Sequence, residues 1–305
     1  MREIVIGSRG SDLALWQANF IKGVLKEQLG ISATIKVIVT TGDRITNMSF
    51  DKIEGIGFFT KELEEAILSG EVDIAVHSLK DLTTTLPDGL TVPTIGFRED
   101  RRELLLVNED ALKGSGALPL KDGASIGTSS ARRKSQIQKL NPSLEIKDIR
   151  GNVPTRIERV KRGDYDAIVI AVAGVKRLNA DLSGLKALKL DPEVFLPAPG
   201  QGTLAIESRE RDNELNSALS ALSDEKTGIE IALERGLLAK FNAGCSLPLG
   251  VFSSVNPGGT HRFISVLGIS DGESYTELRR VEVSGSDVDA LVDESYEALT
   301  SVKVA

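Results

Sequence analysis

The chain has 305 residues, 41% of them hydrophobic and 27% charged, which is typical of a globular protein and enough for two or three domains of about 100–150 residues. Its formal net charge of −7 argues against non-specific nucleic-acid binding, and aromatic residues, at 4%, are too few to stack single strands. No apolar run approaches the roughly 20 residues that cross a bilayer. With one cysteine and no export signal, we expect a cytoplasmic protein without nucleic-acid or membrane partners.

The first 225 residues alternate short β-branched runs with amphipathic stretches, which predicts α/β architecture with a largely parallel sheet. The predicted strands cover residues 4–6, 35–40, 72–76, 104–107, 125–127, 167–172 and 203–207. The predicted helices cover residues 13–29, 60–69 and 130–140. Gly30 and Gly70 should end the first two helices, and Asn141 and Pro142 should end the third.

After residue 225 the alternation of strand and helix patterns gives way to one helix, three successive strands and a last helix. A capping box at residues 227–230 predicts the start of a helix with Ile229, Ala232 and Leu233 on its apolar side. Strand patterns follow at residues 250–254, 263–268 and 278–284, and a last helix is predicted from about 288 to 300. These segments predict a separate small α+β domain with an antiparallel sheet. Residues 97–102 and 196–202 are the candidate linkers between domains.

A basic segment stands out in this acidic chain. Residues 132–177 contain twelve Lys or Arg against five Asp or Glu, which predicts a site for a small polyanion. The strongest candidate is GTSSARR at residues 127–133, where a strand ending in glycine and hydroxyl residues precedes a helix with two Arg in its first turn. Arg150, Arg156 and Arg177 extend this field and should lie at strand ends or helix starts. A solvated basic helix face is the alternative, but so many Arg residues favour a ligand with several carboxylates.

Other polar motifs also follow predicted strands: GSRGS at residues 7–11, TGD at residues 41–43 and HSLKD at residues 77–81. Ligands of open α/β sheets bind beyond the carboxyl ends of the strands, so we expect these segments to line one cleft. Asp81, next to Lys80, is the candidate carboxylate for stabilising a cationic intermediate. A capping or ion-paired aspartate is the alternative.

Cys245 is the only cysteine, so it has no partner for an internal disulfide or a multi-thiolate metal site. It should fall just past the C-terminus of a helix, where the helix dipole disfavours a thiolate. A covalent attachment point is therefore favoured over a nucleophile tuned for turnover. The alternatives are a small buried cysteine and a hydrolase dyad with His77. Because His77 and His261 are the only histidines, we expect no His/Cys metal cluster.

Taken together, the motifs resemble those of the porphobilinogen deaminase (hydroxymethylbilane synthase) family, in the family's order and over nearly the whole chain. They are SRGSDLALWQ (8–17), AVHSLKD (75–81), GTSSARR (127–133), RGN (150–152), AVAGVKR (171–177), PGQG (199–202) and GC (244–245). The resemblance implies two periplasmic-binding-protein-like domains with mixed, largely parallel sheets, and a small C-terminal α+β domain. Domain 1 would comprise residues 1–98 and 200–220, domain 2 residues 103–196, and domain 3 residues 224–305.

The same resemblance implies the activity of a transferase in tetrapyrrole and heme biosynthesis. Cys245 would carry a dipyrromethane cofactor through a thioether. Four porphobilinogen molecules would be joined head to tail with loss of ammonia, and water would release hydroxymethylbilane. The enzyme is expected to be a monomer that passes its product to uroporphyrinogen-III synthase.

The resemblance also implies roles for individual residues. Asp81 would accept hydrogen bonds from pyrrole N–H groups and stabilise the azafulvenium cation formed when ammonia leaves. With Cys245, the implied cofactor-binding residues are Ser78, Lys80, Thr128, Ser129, Ser130, Arg132, Arg133 and Arg150. The implied substrate-binding residues are Arg9, Ser11, Gln17, Phe59, Arg156 and Arg177.

The chain departs from the family at Ile56, where a Gly-Gly-Lys-Gly segment commonly has lysine, whereas Lys52 matches. Residues 44–56 are predicted to form a mobile lid, so the loss should affect lid contacts more than the core chemistry. The remaining alternative is a non-catalytic two-domain binding or sensor module for an organic polyanion. The unique thiol and the lack of an export signal count against it.

Overall fold

A computed structural model describes residues 2–41, 60–242, 246–256, 258–272 and 274–301. The chain divides into two compact units, residues 1–99 with 202–228 and residues 100–201 with 229–305. The second unit holds the segment predicted as domain 2 and, from residue 229 onward, the segment predicted as domain 3. The boundaries of three domains stay a prediction. Within the described part, no helix combines the length and the apolar character that a membrane crossing requires.

The strands follow one another along the chain as β1 (Ile4–Ser8), β2 (Ala33–Val37), β3 (Ile74–Ser78), β4 (Leu90–Gly96), β5 (Glu103–Val107), β6 (Ser125–Gly127), β7 (Glu145–Lys147), β8 (Ala167–Ala171), β9 (Lys186–Lys189), β10 (Leu204–Arg209), β11 (Leu249–Val255), β12 (His261–Ser270) and β13 (Tyr275–Gly285). The α-helices are α1 (Asp12–Leu29), α2 (Lys61–Ser69), α3 (Ala131–Leu140), α4 (Val153–Lys161), α5 (Val172–Leu178), α6 (Asn213–Ser220), α7 (Glu225–Lys240) and α8 (Val288–Thr300).

The first unit contains a five-stranded mixed sheet in the order β2-β1-β3-β10-β4. β1 pairs in parallel with β2 and β3, whereas β10 pairs antiparallel with β3 and β4. Apolar residues of α1 and α6 cover one face, where they pack on Ile74 and Ile206. Leu63 and Ile67 of α2 cover the other face near Ala75. The carboxyl end of the central strand β3 is thereby held between two neighbouring strands.

Helix α1 begins and ends where the sequence predicts. The Ser11 side chain accepts a hydrogen bond from the backbone N–H of Ala14, as N-cap residues do. Gly30 ends the helix in the left-handed region, at φ 66°, where glycine avoids the strain of a Cβ. The buried face of α1 includes Gln17, which this helix places against the sheet.

The second unit contains two sheets. A mixed sheet has the order β7-β6-β8-β5-β9, with β6 parallel to β7 and β8 and with β5 antiparallel to β8 and β9. The other is the antiparallel sheet β11-β12-β13. These sheets confirm the predicted fold class of mixed α/β sheets with a C-terminal antiparallel sheet.

Helix α3 lies against this C-terminal sheet, and glycine permits the close contact. A Cβ added to Gly268 of β12 would lie 2.6 Å from the Cβ of Ser135. Gln138 of the same helix accepts a hydrogen bond of 3.1 Å from the backbone N–H of Tyr275. The start of α3, which carries Arg132 and Arg133, is therefore part of a helix packed on a sheet.

Several predicted elements need correction. Strands β4, β7 and β9 were not predicted; β7 and β9 are short edge strands with mostly exposed residues, so they lack an apolar pattern. The strand predicted at 35–40 is β2, displaced toward the N-terminus. Helix α7 begins at Glu225 rather than at the capping box, because the Asp224 carboxylate accepts the N–H of Thr227 at 2.8 Å. Ala232, predicted on the apolar side, is exposed.

Candidate active site

In the first unit, the predicted site residues follow two parallel neighbours, β1 and β3. Arg9 and Ser11 come after β1, and Lys80 and Asp81 form part of a one-turn 3-10 helix directly after β3. The N–H of Leu79 donates to the carbonyl of Thr203 at 3.0 Å and fixes the start of this turn. The Asp81 side chain is exposed to solvent. The turn thus presents a carboxylate at the carboxyl edge of the sheet, where α/β proteins bind ligands.

Two more of the predicted residues are joined directly. Gln17, which is 3% exposed, donates from Nε2 to the Oγ of Ser78 at 2.8 Å. This bond ties α1 to the last residue of β3, just before the turn that carries Asp81. Ser11 serves as the N-cap of α1, so its hydroxyl has a structural role as well.

His77, the histidine of the alternative hydrolase dyad, is buried in the first unit. Its Nε2 lies 3.0 Å from Oε2 of Glu207 on β10. The ring is therefore engaged inside the layer between sheet and helix, which disfavours a role as the base of a hydrolase. Sequence reasoning did not identify Glu207, because its partner lies 130 residues away on an antiparallel neighbour.

In the second unit, the hydroxyl residues predicted to bind anions follow β6. The Oγ of Ser129 donates to the carbonyl of Ile149 at 3.0 Å and accepts its N–H at 3.1 Å. The Oγ1 of Thr128 accepts the N–H of Ser130 at 3.2 Å. These bonds tie the loop before α3 to the segment that leads into Arg150.

Arg132 and Arg133 share a buried carboxylate that sequence reasoning missed. Glu103, which is 0% exposed, receives Nη2 and Nε of Arg133 at 2.8 and 3.1 Å and also Nη2 of Arg132. Arg132 further donates from Nη1 to the carbonyl of Leu196 at 2.6 Å. Burial opposes ionisation of Glu103, but the charges of Arg133 and Arg132 outweigh it and lower its pKa to about 2. The sequence contains one indication of this buried carboxylate, because Glu103 is the single charged residue at the start of the apolar run ELLLV.

Three arginines form a cluster of like charge. Asn152 caps α4 by accepting the N–H of Thr155, and Arg156 in the first turns donates from Nε to the carbonyl of Gly151 at 2.7 Å. Burial, followed by the positive charges of Arg133 and Arg150, lowers the pKa of Arg156 to about 10. The guanidinium of Arg156 remains charged at neutral pH, so it repels those of Arg133 and Arg150. A polyanion placed here would relieve their mutual repulsion, so the geometry fits a ligand with several carboxylates.

Comparison with known proteins agrees with this chemistry. The model "Porphobilinogen deaminase, dipyromethane cofactor binding domain" matches residues 4–217, and that of the porphobilinogen deaminase C-terminal domain matches residues 229–293. The chain belongs to the porphobilinogen deaminase family. This result confirms the predicted family, enzyme class and dipyrromethane cofactor, and it excludes the alternative of a non-catalytic binding module.

Among its relatives, the porphobilinogen deaminase of Sulfurimonas denitrificans is 47% identical over 274 residues, which cover 90% of this chain and 86% of the relative. That of Chlorobaculum parvum is 39% identical over 304 residues, 99% of this chain and 95% of the relative. Among solved structures, the probable amino-acid ABC transporter extracellular-binding protein of Bacillus subtilis is similar at a TM-score of 0.46, with 13% identity over 73% of this chain and 90% of that chain.

The described residues of this chain fit the cofactor of the family. Each pyrrole of a dipyrromethane carries an acetate and a propionate, and carboxylates pair well with guanidinium forks. The cluster of Arg133, Arg150 and Arg156 supplies such donors beside the loop that follows β6. Arg177 is buried in the last turn of α5, rather than at the helix start as predicted.

Several predicted positions of this chain lie outside the described residues. They are Cys245, Phe59, Lys52, Ile56 and the proposed lid at residues 44–56. The other site residues lie in one unit or the other: Arg9, Ser11, Gln17, Ser78, Lys80 and Asp81 in the first, and Thr128, Ser129, Ser130, Arg132, Arg133, Arg150, Arg156 and Arg177 in the second.

Proposed function

We propose that this member of the porphobilinogen deaminase family joins four porphobilinogen molecules head to tail, with loss of one ammonia per unit, and releases hydroxymethylbilane by reaction with water. The observation that carries the proposal is the cluster of Arg133, Arg150 and Arg156, in which burial and like charge lower the pKa of Arg156 to about 10. Such a field suits a substrate whose every unit adds an acetate and a propionate.

Cys245 is proposed to hold the dipyrromethane through a thioether, and Arg133 and Arg150 to bind its carboxylates. Lys80, Ser78 and the hydroxyl residues 128–130 complete the proposed cofactor-binding set. When bound, the cofactor supplies the free pyrrole carbon at which extension takes place. Arg132 belongs to the same proposed set, and two of its nitrogens also bind Glu103 and the Leu196 carbonyl.

Asp81 is proposed to accept hydrogen bonds from pyrrole N–H groups and to stabilise the cation that porphobilinogen becomes when ammonia leaves. Its position supports this role, because the turn at Leu79–Asp81 presents the carboxylate beyond the end of β3, beside Lys80. Arg9, Ser11, Gln17, Phe59, Arg156 and Arg177 are proposed to bind and orient the substrate.

A cytoplasmic location, a monomeric state and transfer of the product to a uroporphyrinogen-III synthase belong to the same proposal. So does the division into domains 1–98 with 200–220, 103–196 and 224–305, the last bearing Cys245. The contacts of α3 with β12 and β13 support close packing of the second and third of these segments.

Intact mass spectrometry tests the proposal. The purified protein should be heavier than its sequence by one dipyrromethane, located on the peptide that contains Cys245. Incubation with porphobilinogen should add further steps, each of one deaminated pyrrole, and Cys245→Ser should show neither change. An active protein of unmodified mass would contradict the proposal.

A further inference from the structure

The first unit contains a buried charged cluster that the proposed mechanism does not use. It consists of His77 on β3, Glu207 on β10 and Glu64 on α2, which are 6%, 0% and 7% exposed. The Nε2 of His77 lies 3.0 Å from Oε2 of Glu207. Three ionisable side chains in one buried layer are unusual and need a physical explanation.

The strand register places the cluster on the face that α2 covers. Glu207 lies directly opposite Ala75, and His77 lies opposite Ala205, so both side chains project from the same face of the sheet. Ala75 packs there with Leu63 and other apolar residues of α2. The charged groups therefore occupy an otherwise hydrophobic layer, where burial of a charge is costly unless it is paired.

Pairing within the cluster is incomplete. Among the residues that the structure describes, Oε1 of Glu64 and Oε1 of Glu207 are buried without a hydrogen-bond partner. Burial raises the pKa of Glu64, and the negative charge of Glu207 adds to this, whereas the Thr60 hydroxyl and His77 act in the opposite direction. Glu64 thus holds its proton more readily than an exposed glutamate does.

The charged residues around this cluster are exposed or paired with other residues. Glu65, the neighbour of Glu64, lies on the exposed side of α2, and its repulsion of Glu64 is smaller than that of Glu207. Farther along β10, Arg209 is engaged by Asp73 and Asp212 at 3.0 and 2.7 Å. An arrangement that leaves buried carboxylate oxygens unsatisfied reduces stability, which favours a functional reason for its presence.

We propose that the His77–Glu207 pair is a positioning device for Lys80 and Asp81, and that the protonation state of Glu64 controls it. His77 is followed at once by Ser78 and by the turn at Leu79–Asp81. Anchoring His77 to the adjacent strand fixes the point from which this turn leaves the sheet. When Glu64 loses its proton, a second negative charge competes with Glu207 for His77 and loosens the anchor.

This inference rests on the proposed role of Asp81, so its test measures positioning separately from cofactor attachment. Glu207→Gln keeps the shape of the side chain and removes its charge. We expect kcat to fall about tenfold or more, with KM for porphobilinogen little changed, since small displacements of a catalytic group have effects of this size. Intact mass should show a full complement of cofactor.

Glu64→Gln supplies the second measurement, because glutamine imitates the protonated acid and does not ionise. Its kcat should be no lower than that of the unmodified enzyme at any pH, and the loss of activity that accompanies ionisation of Glu64 should be absent from its pH profile. Glu65→Gln is the matched control, on the same helix with a side chain that is 64% exposed, and it should leave the pH profile unchanged.

Unchanged kcat in Glu207→Gln, or an unchanged pH profile in Glu64→Gln, would overturn the positioning role. If Glu207→Gln does not fold, the profile of Glu64→Gln alone decides. An enzyme without covalent cofactor mass or product would contradict the proposed function instead, so the two failures are distinguishable.

Discussion

The guanidinium of Arg133 forms a two-point ion pair with Glu103, in which Nη2 lies 2.8 Å from Oε2 and Nε lies 3.1 Å from Oε1. Arg132 binds the same carboxylate from the first turn of α3. The two guanidinium groups thus share one carboxylate. This leaves a net charge of +1 next to the loop at residues 128–130. Glu103 therefore orients a basic residue of the proposed carboxylate site while it stabilises the fold.

Replacement of this carboxylate should destabilise the second unit. In Glu103→Gln, two buried arginines would lose their counter-charge, and removal of one partner from a buried pair costs about 3–5 kcal/mol. Urea denaturation at neutral pH should show this loss. Glu109→Gln, an exposed position after the same strand, should change stability by less than about 0.5 kcal/mol. Equal stability of the two variants would contradict the ion-pair assignment.

The same pair predicts a dependence on acid. The pKa of Glu103 is lowered from 4.5 to about 2. The ionised carboxylate therefore stabilises the folded state fully when the pH is above 4.5. That contribution falls as the pH decreases from 4.5 toward 2. The difference in unfolding free energy between the unmodified protein and Glu103→Gln should therefore be largest at neutral pH. It should be clearly smaller at about pH 3, which lies between the two pKa values. A constant difference would be inconsistent with the lowered pKa.

The arginine cluster makes a prediction about substrate. Arg156→Leu should raise KM for porphobilinogen about tenfold or more, since hydrogen bonds to charged groups contribute about 1.5–3 kcal/mol. Intact mass should also show slower addition of pyrrole units. This position is more informative than Arg132→Leu, in which the buried pair with Glu103 would be disturbed as well.

Arg162→Leu is the control for Arg156→Leu. Arg162 is the C-cap of α4, its side chain is 66% exposed, and it pairs with Asp164 at 3.3 Å. Its removal should leave KM near that of the unmodified enzyme, because an exposed ion pair contributes little. Similar effects of both substitutions would indicate a general influence of charge instead of a defined site.

Asp81→Ala should separate cofactor attachment from turnover. The variant should carry the covalent cofactor yet lose about 100-fold or more in kcat, since a carboxylate aimed at a developing cation contributes on this scale. Asp88→Ala, in an exposed position of the same unit, should retain normal turnover. An undiminished rate in Asp81→Ala would remove this residue from its proposed role.

Much of this arrangement was predictable from local patterns. The strand at residues 125–127, the hydroxyl loop after it and the helix with Arg132 and Arg133 follow from β-branched residues, glycine and helix signals that lie close together in the chain. The polar motifs at strand ends follow from the geometry of α/β sheets. Local information was sufficient because each of these features is formed by adjacent residues.

The partners across the fold were not predictable in this way. Glu103 lies 29 residues from Arg132, and Glu207 lies 130 residues from His77, so each pairing depends on strand order and register. Antiparallel pairing of β5 with β8 and of β10 with β3 brings these carboxylates into place. A single sequence contains no local signal for such a register, and the exposed edge strands β7 and β9 lack an apolar pattern.

The packing of α3 on the C-terminal sheet gives a final prediction. Gly268→Ala would place a Cβ 2.6 Å from the Cβ of Ser135 and 3.0 Å from Cδ1 of Tyr275, closer than unstrained contacts allow. We expect a loss of about 1–3 kcal/mol in the free energy of unfolding. Gly285→Ala in the neighbouring strand is the control, because its Cβ would meet Leu291 at an ordinary 3.4 Å.

A double-mutant cycle distinguishes this clash from a general loss of strand stability. Ser135→Gly removes the atom that the new methyl group would strike, although glycine itself costs about 1 kcal/mol within a helix. If the close approach is the cause, the effects of Gly268→Ala and Ser135→Gly should not add, and the double variant should be more stable than their sum. Additive effects, measured by urea denaturation of the four proteins, would show that α3 and β12 do not meet at these two residues.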